Sequence, residues 1–174
     1  MLFRKGTAAD LDGVEQSYEE FFDHEEAHGP WTVWKRGVYP TRQTAQRSLE
    51  NGTLYLLEEA GEILASVTLD RTQPKEYAQI PWGCPAGEGE ALVIHTLCVR
   101  PSRAGQGLGT QMVRHAMEEA RRQGCKAIRL DTGAQNKPAV GLYTKLGFRL
   151  VSAGAILLDG QIAHQGHVFM EYPL

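Results

Sequence analysis

Apolar and polar positions alternate along this chain in two rhythms, one near four residues and one of two, and the switches between them mark its elements. Leu2–Gly6 reads as a first strand. Thr7 and Asp10 have the form of a helix start, an N-cap followed by an acid in the first turn. Leu11, Val14, Tyr18, Phe21 and Phe22 then make an apolar stripe at helical spacing. It ends near the charged run Asp23–Glu26, and His28-Gly29-Pro30 breaks the helix. Pro40 and Thr41 open a second helix over Arg42–Glu50, which Asn51-Gly52 closes. Thr53–Glu59 and Glu62–Leu69 are β-branched and apolar, and predict a hairpin turning at Ala60-Gly61.

The second half repeats these signals. Ala91–Val99 is an apolar run long enough for one strand, ended by Pro101 and Ser102. Helical periodicity then starts at once, with Leu108, Met112, Ala116 and Ala120 at steps of four, and Gly124 closes it. Lys126–Thr132 is the next strand, and Pro138 opens a helix that Gly147 caps. Phe148–Leu158 and Val168–Tyr172 read as two last strands, with Asp159-Gly160 a turn between them. Two stretches keep no period. Trp31, Trp34 and Tyr39 crowd into one, and the polar loop from Asp70 to Glu90 carries Tyr77 and Trp82. A loop of that length in a compact domain is usually functional or mobile.

Between the strand 91–99 and its following helix lies a loop with glycine at 105, 107 and 109. Strand, glycine loop and helix start together make an anion site, because glycines let the backbone approach a ligand and the first helical amides lack partners. Two nucleotide motifs are excluded. The phosphate loop of NTPases needs Gly-Lys-Ser/Thr, but Gly109 is followed by Thr110 and Gln111. The dinucleotide fingerprint starting at Gly105 would need glycine where Thr110 stands.

Downstream, Asn136-Lys137-Pro138-Ala139-Val140-Gly141-Leu142-Tyr143-Thr144-Lys145-Leu146-Gly147-Phe148 completes a second motif. Strand, loop and helix followed by N-x-x-A-x-x-L-Y-x-K-x-G-F resembles the GNAT superfamily, the Gcn5-related N-acetyltransferases that use acetyl-CoA. The resemblance is strong over 91–150; over 1–90 only the order of elements agrees. One departure stands out: the family's Arg/Gln-x-x-Gly-x-Gly begins here at Ala104, with Arg103 one residue early.

The resemblance implies an α/β (α+β) fold, a mixed, mostly antiparallel twisted sheet of six to seven strands with about four helices on both faces. It also implies that strands 91–99 and 126–132 run parallel and splay at one end. In that arrangement Leu97, Cys98 and Val99 offer backbone to the pantetheine arm. The loop Arg103, Ala104, Gly105, Gln106, Gly107, Leu108, Gly109 and Thr110 holds the pyrophosphate. Tyr143 matches the family's acid for the departing thiolate, with a core aromatic as the alternative. Asn136 can cap its helix, bond the cofactor, or both. Cys98 reads as a small buried thiol rather than a nucleophile.

His95 interrupts an apolar strand where the family often carries the base for the acceptor amine. Strict alternation puts it on the face of Val93, Leu97 and Val99, as a buried structural residue; a β-bulge would reverse that face. Glu88, Glu90 and Asp131 are weaker candidates, Asp131 because it can pair with Arg129 or another arginine. Trp31, Trp34, Tyr39, Tyr77 and Trp82 are candidates for an acceptor pocket, or else fill gaps under irregular segments.

Composition narrows the setting. The 174 residues suit a single domain over 1–174, with 42% apolar and 22% charged residues. A net charge of −3 disfavours a nucleic-acid partner. The N-terminus turns polar too early for a signal peptide, and no apolar run is long enough for a membrane span. Cys84, Cys98 and Cys125 show no paired spacing and read as reduced thiols of a cytoplasmic protein. The expected co-substrate is acetyl-CoA without a metal, and the expected partner is a small-molecule or peptide amine, with a homodimer compatible with the family. Two rivals stay open: an acyl-CoA-binding sensor that does no chemistry, and a nucleotide-binding domain of another fold.

Overall fold

The computed structural model describes residues 1–174. The helix start expected at Thr7 is built as two hydrogen bonds, Asp10 Oδ2 accepting from the Thr7 amide at 2.7 Å and from its hydroxyl at 2.8 Å. Arg4 closes on the same carboxylate at 2.8 Å and holds it well below the usual carboxylate range. The elements follow in chain order as β1 (Leu2–Lys5), α1 (Leu11–His28), α2 (Arg42–Glu50), β2 (Leu54–Glu59), β3 (Glu62–Asp70) and β4 (Ala91–Val99). After them come α3 (Leu108–Arg122), β5 (Ala127–Gly133), α4 (Lys137–Lys145), β6 (Arg149–Leu158) and β7 (Ile162–Pro173).

The strands form one sheet in the order β1-β2-β3-β4-β5-β7-β6. β1–β2, β2–β3, β5–β7 and β6–β7 are antiparallel, and β4–β5 is parallel. The parallel register covers only Ala91–Val93 against Ala127–Arg129, whereas β5 pairs with β7 along its whole length to Gly133. Both hairpin turns expected from sequence are tight: Ala60-Gly61 and Asp159-Gly160 hold positive φ at both positions, the primed geometry that matches strand twist.

Two compact units make up the chain. The first comprises Met1–Pro30, Trp34–Leu69 and His95–His115. Its core is the apolar stripe of α1, where Leu11, Val14, Tyr18 and Phe22 pack with Ala45, Leu54, Leu56, Ile63 and Cys98. α1 runs through the charged Asp23–Glu26 stretch to His28, with Asp23 and Glu26 exposed and Glu25 buried at 6%, and Gly29 then closes it at φ +95.

The second unit comprises Trp31–Val33, Asp70–Ile94 and Ala116–Leu174. Here β7 starts at Ile162, six positions before the apolar run that the sequence shows. Its first half, Ala163-His164-Gln165-Gly166-His167, is polar yet pairs with β6 through Ile156↔His164 and Gly154↔His167. Main-chain pairing with β6 sets the strand, so its side chains need not be apolar.

The long loop 70–90 is ordered from below. Arg129 is 3% exposed and donates to Glu171 at 2.9 Å, Gln73 at 2.6 Å and the carbonyls of Ala86 at 3.1 Å and Cys84 at 2.7 Å. Glu171 returns a bond by accepting the Cys84 amide at 2.8 Å. A buried guanidinium needs every donor met, and this loop supplies the acceptors.

Candidate functional site

In the first unit the glycine loop has the form an anion site needs. Ala104–Gly107 are exposed, Gly105 and Gly107 hold φ +80 and +71, and a Cβ added at either would meet nothing within 4 Å. The amide of Ala104 is used, donating to Pro101 at 3.0 Å. Those of Gly105 to Thr110 donate to no other backbone carbonyl, and the next amide, Gln111, already bonds Gly107 as α3 begins. Leu108 alone turns inward, 2% exposed. Arg103 is committed elsewhere: its guanidinium pairs with Glu62, which holds that carboxyl below its ordinary range. Reaching a diphosphate would require it to leave that partner.

β4 does not alternate as a regular strand. Thr96 lies at φ +50, a left-handed residue inside the strand, so face assignments before it do not carry past it. The Tyr39 hydroxyl bonds the Thr96 hydroxyl and secures this position. His95, just before it, is half-buried, and Leu97 and Val99 are half-buried beyond it. Cys98 points into the α1 core at 0% exposure, with its thiol donating to the Ser17 carbonyl at 3.8 Å. Burial pushes that thiol up to about 12, so it stays protonated and inert.

The second unit holds a buried polar cluster that the sequence did not reveal. Asp131 of β5 accepts a 2.7 Å hydrogen bond from the Tyr77 phenol, brought in by a short helical turn of the loop. His167 Nε2 stands 3.6 Å from the other oxygen of the same carboxylate, and His167 Nδ1 lies 2.7 Å from His164 Nδ1. Asp131 therefore does not pair with an arginine; Arg129, two residues back along the same strand, belongs to Glu171. Burial raises the Asp131 carboxyl to about 6, opposed by the Tyr77 bond and aided by Glu76. Burial lowers His167 to about 4, with His164 adding to it. The signal available in the sequence was the His164-x-x-His167 pair around Gly166, hidden by the assumption that a strand there must be apolar.

Tyr143 of α4 is 6% exposed and packs edge-on against Phe148 at 5.4 Å. Burial first, and the charge of Asp131 second, push its phenol well above the ordinary range, so it is a firm proton carrier in its neutral form. Asn136 caps α4, accepting from Ala139 at 3.3 Å, and its amide donates to Thr132 at 3.5 Å, which ties helix to strand. Over Phe169, the register partner of Asp131, lies a cavity of about 530 Å³. Its walls are Lys75, Glu76, Gln79 and Ile80 on one side and Ser152–Ala155 of β6 on the other.

The aromatic candidates divide. Trp34 packs on the α1 core, 5.1 Å from Phe21. Tyr39 is 6% exposed and bonds Thr96. Trp82 lies over Arg129 at 4.5 Å and donates its indole N–H to the Tyr77 carbonyl at 2.9 Å. Trp31 is 43% exposed. Glu90 is engaged by Lys126 at 2.7 Å and by the Gly87 amide at 2.9 Å.

A family model described as the acetyltransferase (GNAT) family matches residues 11–148. The chain belongs to the GNAT family. Among its relatives is an uncharacterized N-acetyltransferase, YesJ, of Bacillus subtilis, 30% identical over 108 residues, 62% of this chain and 59% of that one. The matched stretches span 26%, 45% and 59% of the length of three curated acetyltransferase relatives. A GNAT-family acetyltransferase structure from Streptococcus agalactiae aligns at TM-score 0.80 and 18% identity, over 99% of this chain and 95% of that one. The yncA structure from Salmonella typhimurium, solved with its cofactor acetyl-CoA, aligns at TM-score 0.71 and 18% identity, over 100% and 94%. These two likenesses establish the GNAT fold for the whole chain. The seven-stranded, mostly antiparallel sheet with four helices is the one its motifs led us to expect.

Proposed function

We propose that this chain is an acetyltransferase that moves the acetyl group of acetyl-CoA to a primary amine. The observation that carries the reading is the loop 104–110: exposed over Ala104–Gly107, glycine-bent, and presenting main-chain amides from Gly105 to Thr110 without backbone partners at the start of α3. Family membership supports the same reading, as does acetyl-CoA in the yncA relative.

Acetyl-CoA supplies a thioester already activated toward an amine. The residues of this chain bind and position it. Amides from Gly105 to Thr110 grip the diphosphate, each charge-assisted bond worth about 1.5–3 kcal/mol, and together they offset the side chain missing at Ala104. Backbone of Leu97, Cys98 and Val99 holds the pantetheine arm, and a main-chain N–H near Cys98 steadies charge developing on the carbonyl oxygen. Tyr143 gives its phenolic proton to the departing sulfur, and His95 takes the proton that the amine must lose. No residue is acylated, since holding both reactants together suffices.

The acceptor is a small-molecule or peptide amine. Glu76 in the wall of the cavity over Phe169 suits a cationic ammonium group, and the ring suits an apolar body. Calorimetry with acetyl-CoA, ATP and NAD, then thiol release across a panel of amines, tests the reading. Binding of acetyl-CoA alone of the three, with thiol released by one amine, supports it. Binding without turnover on any amine assigns a sensor, and preference for ATP or NAD removes the reading altogether.

A further inference from the structure

Burial along β4 breaks its rhythm at one place. Ala91–Ile94 are buried in succession, yet His95, Thr96 and Leu97 are all half-buried in a row before Cys98 returns to the core. A regular strand turns successive side chains to opposite faces and does not expose three neighbours alike. The cause is Thr96 at φ +50. A β-branched side chain is crowded in that left-handed region, so the conformation costs free energy and persists only where its surroundings hold it.

Those surroundings reach Thr96 from outside the sheet. Tyr39 is 6% exposed, and its hydroxyl bonds the Thr96 hydroxyl. It stands at the end of a closed turn, Lys35 to Tyr39. The Lys35 amide donates to the Tyr39 carbonyl at 3.0 Å, and the Val38 and Tyr39 amides donate back to the Lys35 carbonyl at 3.0 and 2.9 Å. Gly37 at φ +75 permits so tight a turn. Arg36 ties the turn to α1, its guanidinium donating to Asp23 at 2.7 Å, to Glu26 at 3.1 Å and to Glu19. The Tyr39 ring stands edge-on to Trp34 at 6.2 Å, and Trp34 lies 5.1 Å from Phe21 of α1. A clip therefore runs from α1 to the break in β4 and ends at one pair of hydroxyls.

We propose that Tyr39 is a positioning residue for acyl transfer: its hydroxyl keeps Thr96 left-handed, and so aims the His95 side chain and the Leu97–Cys98 main chain at the reacting groups. The proposal rests on the acyl-transfer reading, in which His95 takes the proton of the amine and the main chain near Cys98 faces the acyl oxygen. Thr96 lies between these two groups, and its two backbone dihedrals set how the chain before it is turned against the chain after it. A hydrogen bond between neutral groups and the penalty on a left-handed threonine are of the same order. Loss of the bond therefore lets Thr96 relax toward the extended backbone of its neighbours and swings the peptide planes on either side. Displacements of that size at a reacting centre cost rate far more than they cost binding. The glycine loop that grips the diphosphate lies beyond Pro101 and keeps its shape, so the acetyl donor still docks.

Two measurements on the intact chain test this. Carbon-13 shifts of Thr96 are expected on the helical side in the wild type and on the extended side in Tyr39→Phe, a variant that keeps the ring beside Trp34. A Thr96 that stays left-handed in Tyr39→Phe overturns the proposal. In turnover with acetyl-CoA and the amine found by the panel, Tyr39→Phe is expected to lower kcat at least about tenfold, with calorimetric affinity for acetyl-CoA changed less than about threefold. Adding Thr96→Asn to Tyr39→Phe is expected to restore most of the lost kcat, because asparagine takes the left-handed region more readily than a β-branched residue. A purely structural role for Tyr39 would lower the folded fraction and would gain nothing from asparagine at 96. An unchanged kcat in Tyr39→Phe, a loss of acetyl-CoA affinity as large as the loss of kcat, or no recovery with Thr96→Asn each overturns the proposal. If the wild type acetylates no amine, the acyl-transfer reading has failed and the role of Tyr39 in turnover falls with it, while the shifts of Thr96 still report whether the hydroxyl pair holds the backbone.

Discussion

Tyr77 and Asp131, 54 positions apart, share a 2.7 Å hydrogen bond in which the phenol donates to the carboxylate. Through it the loop 70–90 touches the one acid buried on β5. The bond favours the charged carboxylate against the desolvation that raises it. Tyr77→Phe should therefore move the Asp131 carboxyl further up from about 6 and cost about 1–3 kcal/mol of stability. Carbon-detected NMR titration and denaturant unfolding give the two numbers.

Arg129 and Glu171 are each about 3% exposed as side chains and satisfy one another. Arg129→Met leaves a buried carboxylate and three loop acceptors, on Gln73, Cys84 and Ala86, without their donor. Loss of about 3–5 kcal/mol is expected, measured by urea unfolding, with faster proteolysis inside 70–90. The double replacement with Glu171→Leu should recover much of that loss.

Stability near Asp131 and His167 responds to pH in opposite senses. The raised Asp131 carboxyl contributes stability that is full below its ordinary 3.8 and lost as pH rises through about 6. The depressed His167 contributes stability that is full above its ordinary 6.5 and lost as pH falls through about 4. Over roughly pH 4 to 6 the two oppose, so this pair adds little slope in the wild type. Asp131→Asn removes one side, and its melting temperature should fall on acidification through that window more steeply than the wild type's.

Tyr143→Phe keeps the packing on Phe148 and removes only the proton donor. A kcat lower by about 10²-fold or more, with calorimetric affinity for acetyl-CoA unchanged, is expected. An undiminished kcat would take the acid role from it.

Gly107→Ala tests the loop. Open space surrounds the new methyl, so only the backbone at φ +71 is penalised, by about 1–2 kcal/mol. The expected result is roughly tenfold weaker acetyl-CoA binding with an unaltered fold by circular dichroism.

Local signals were legible wherever one residue type at one spacing has a single physical use. The Thr7–Asp10 helix start, the glycine closures at 52, 61 and 124, and the 91–110 strand, loop and helix all stand where their chemistry placed them. β7 was legible only from Val168 on, since the stretch from Ile162 is a strand because β6 pairs with it. His95 was undecidable by alternation, because Thr96 takes a left-handed turn that no residue type at 96 announces.

By itself the sequence determined the order of elements, the glycine loop at the head of α3 and the family, because these depend on contacts within a few residues. Tertiary structure alone decided the partners of Asp131 and the use of Trp82, Arg129 and the two histidines of β7. A charged group taken out of water bonds to whatever the fold brings within about 3 Å, and 54 intervening positions leave that choice invisible in the chain.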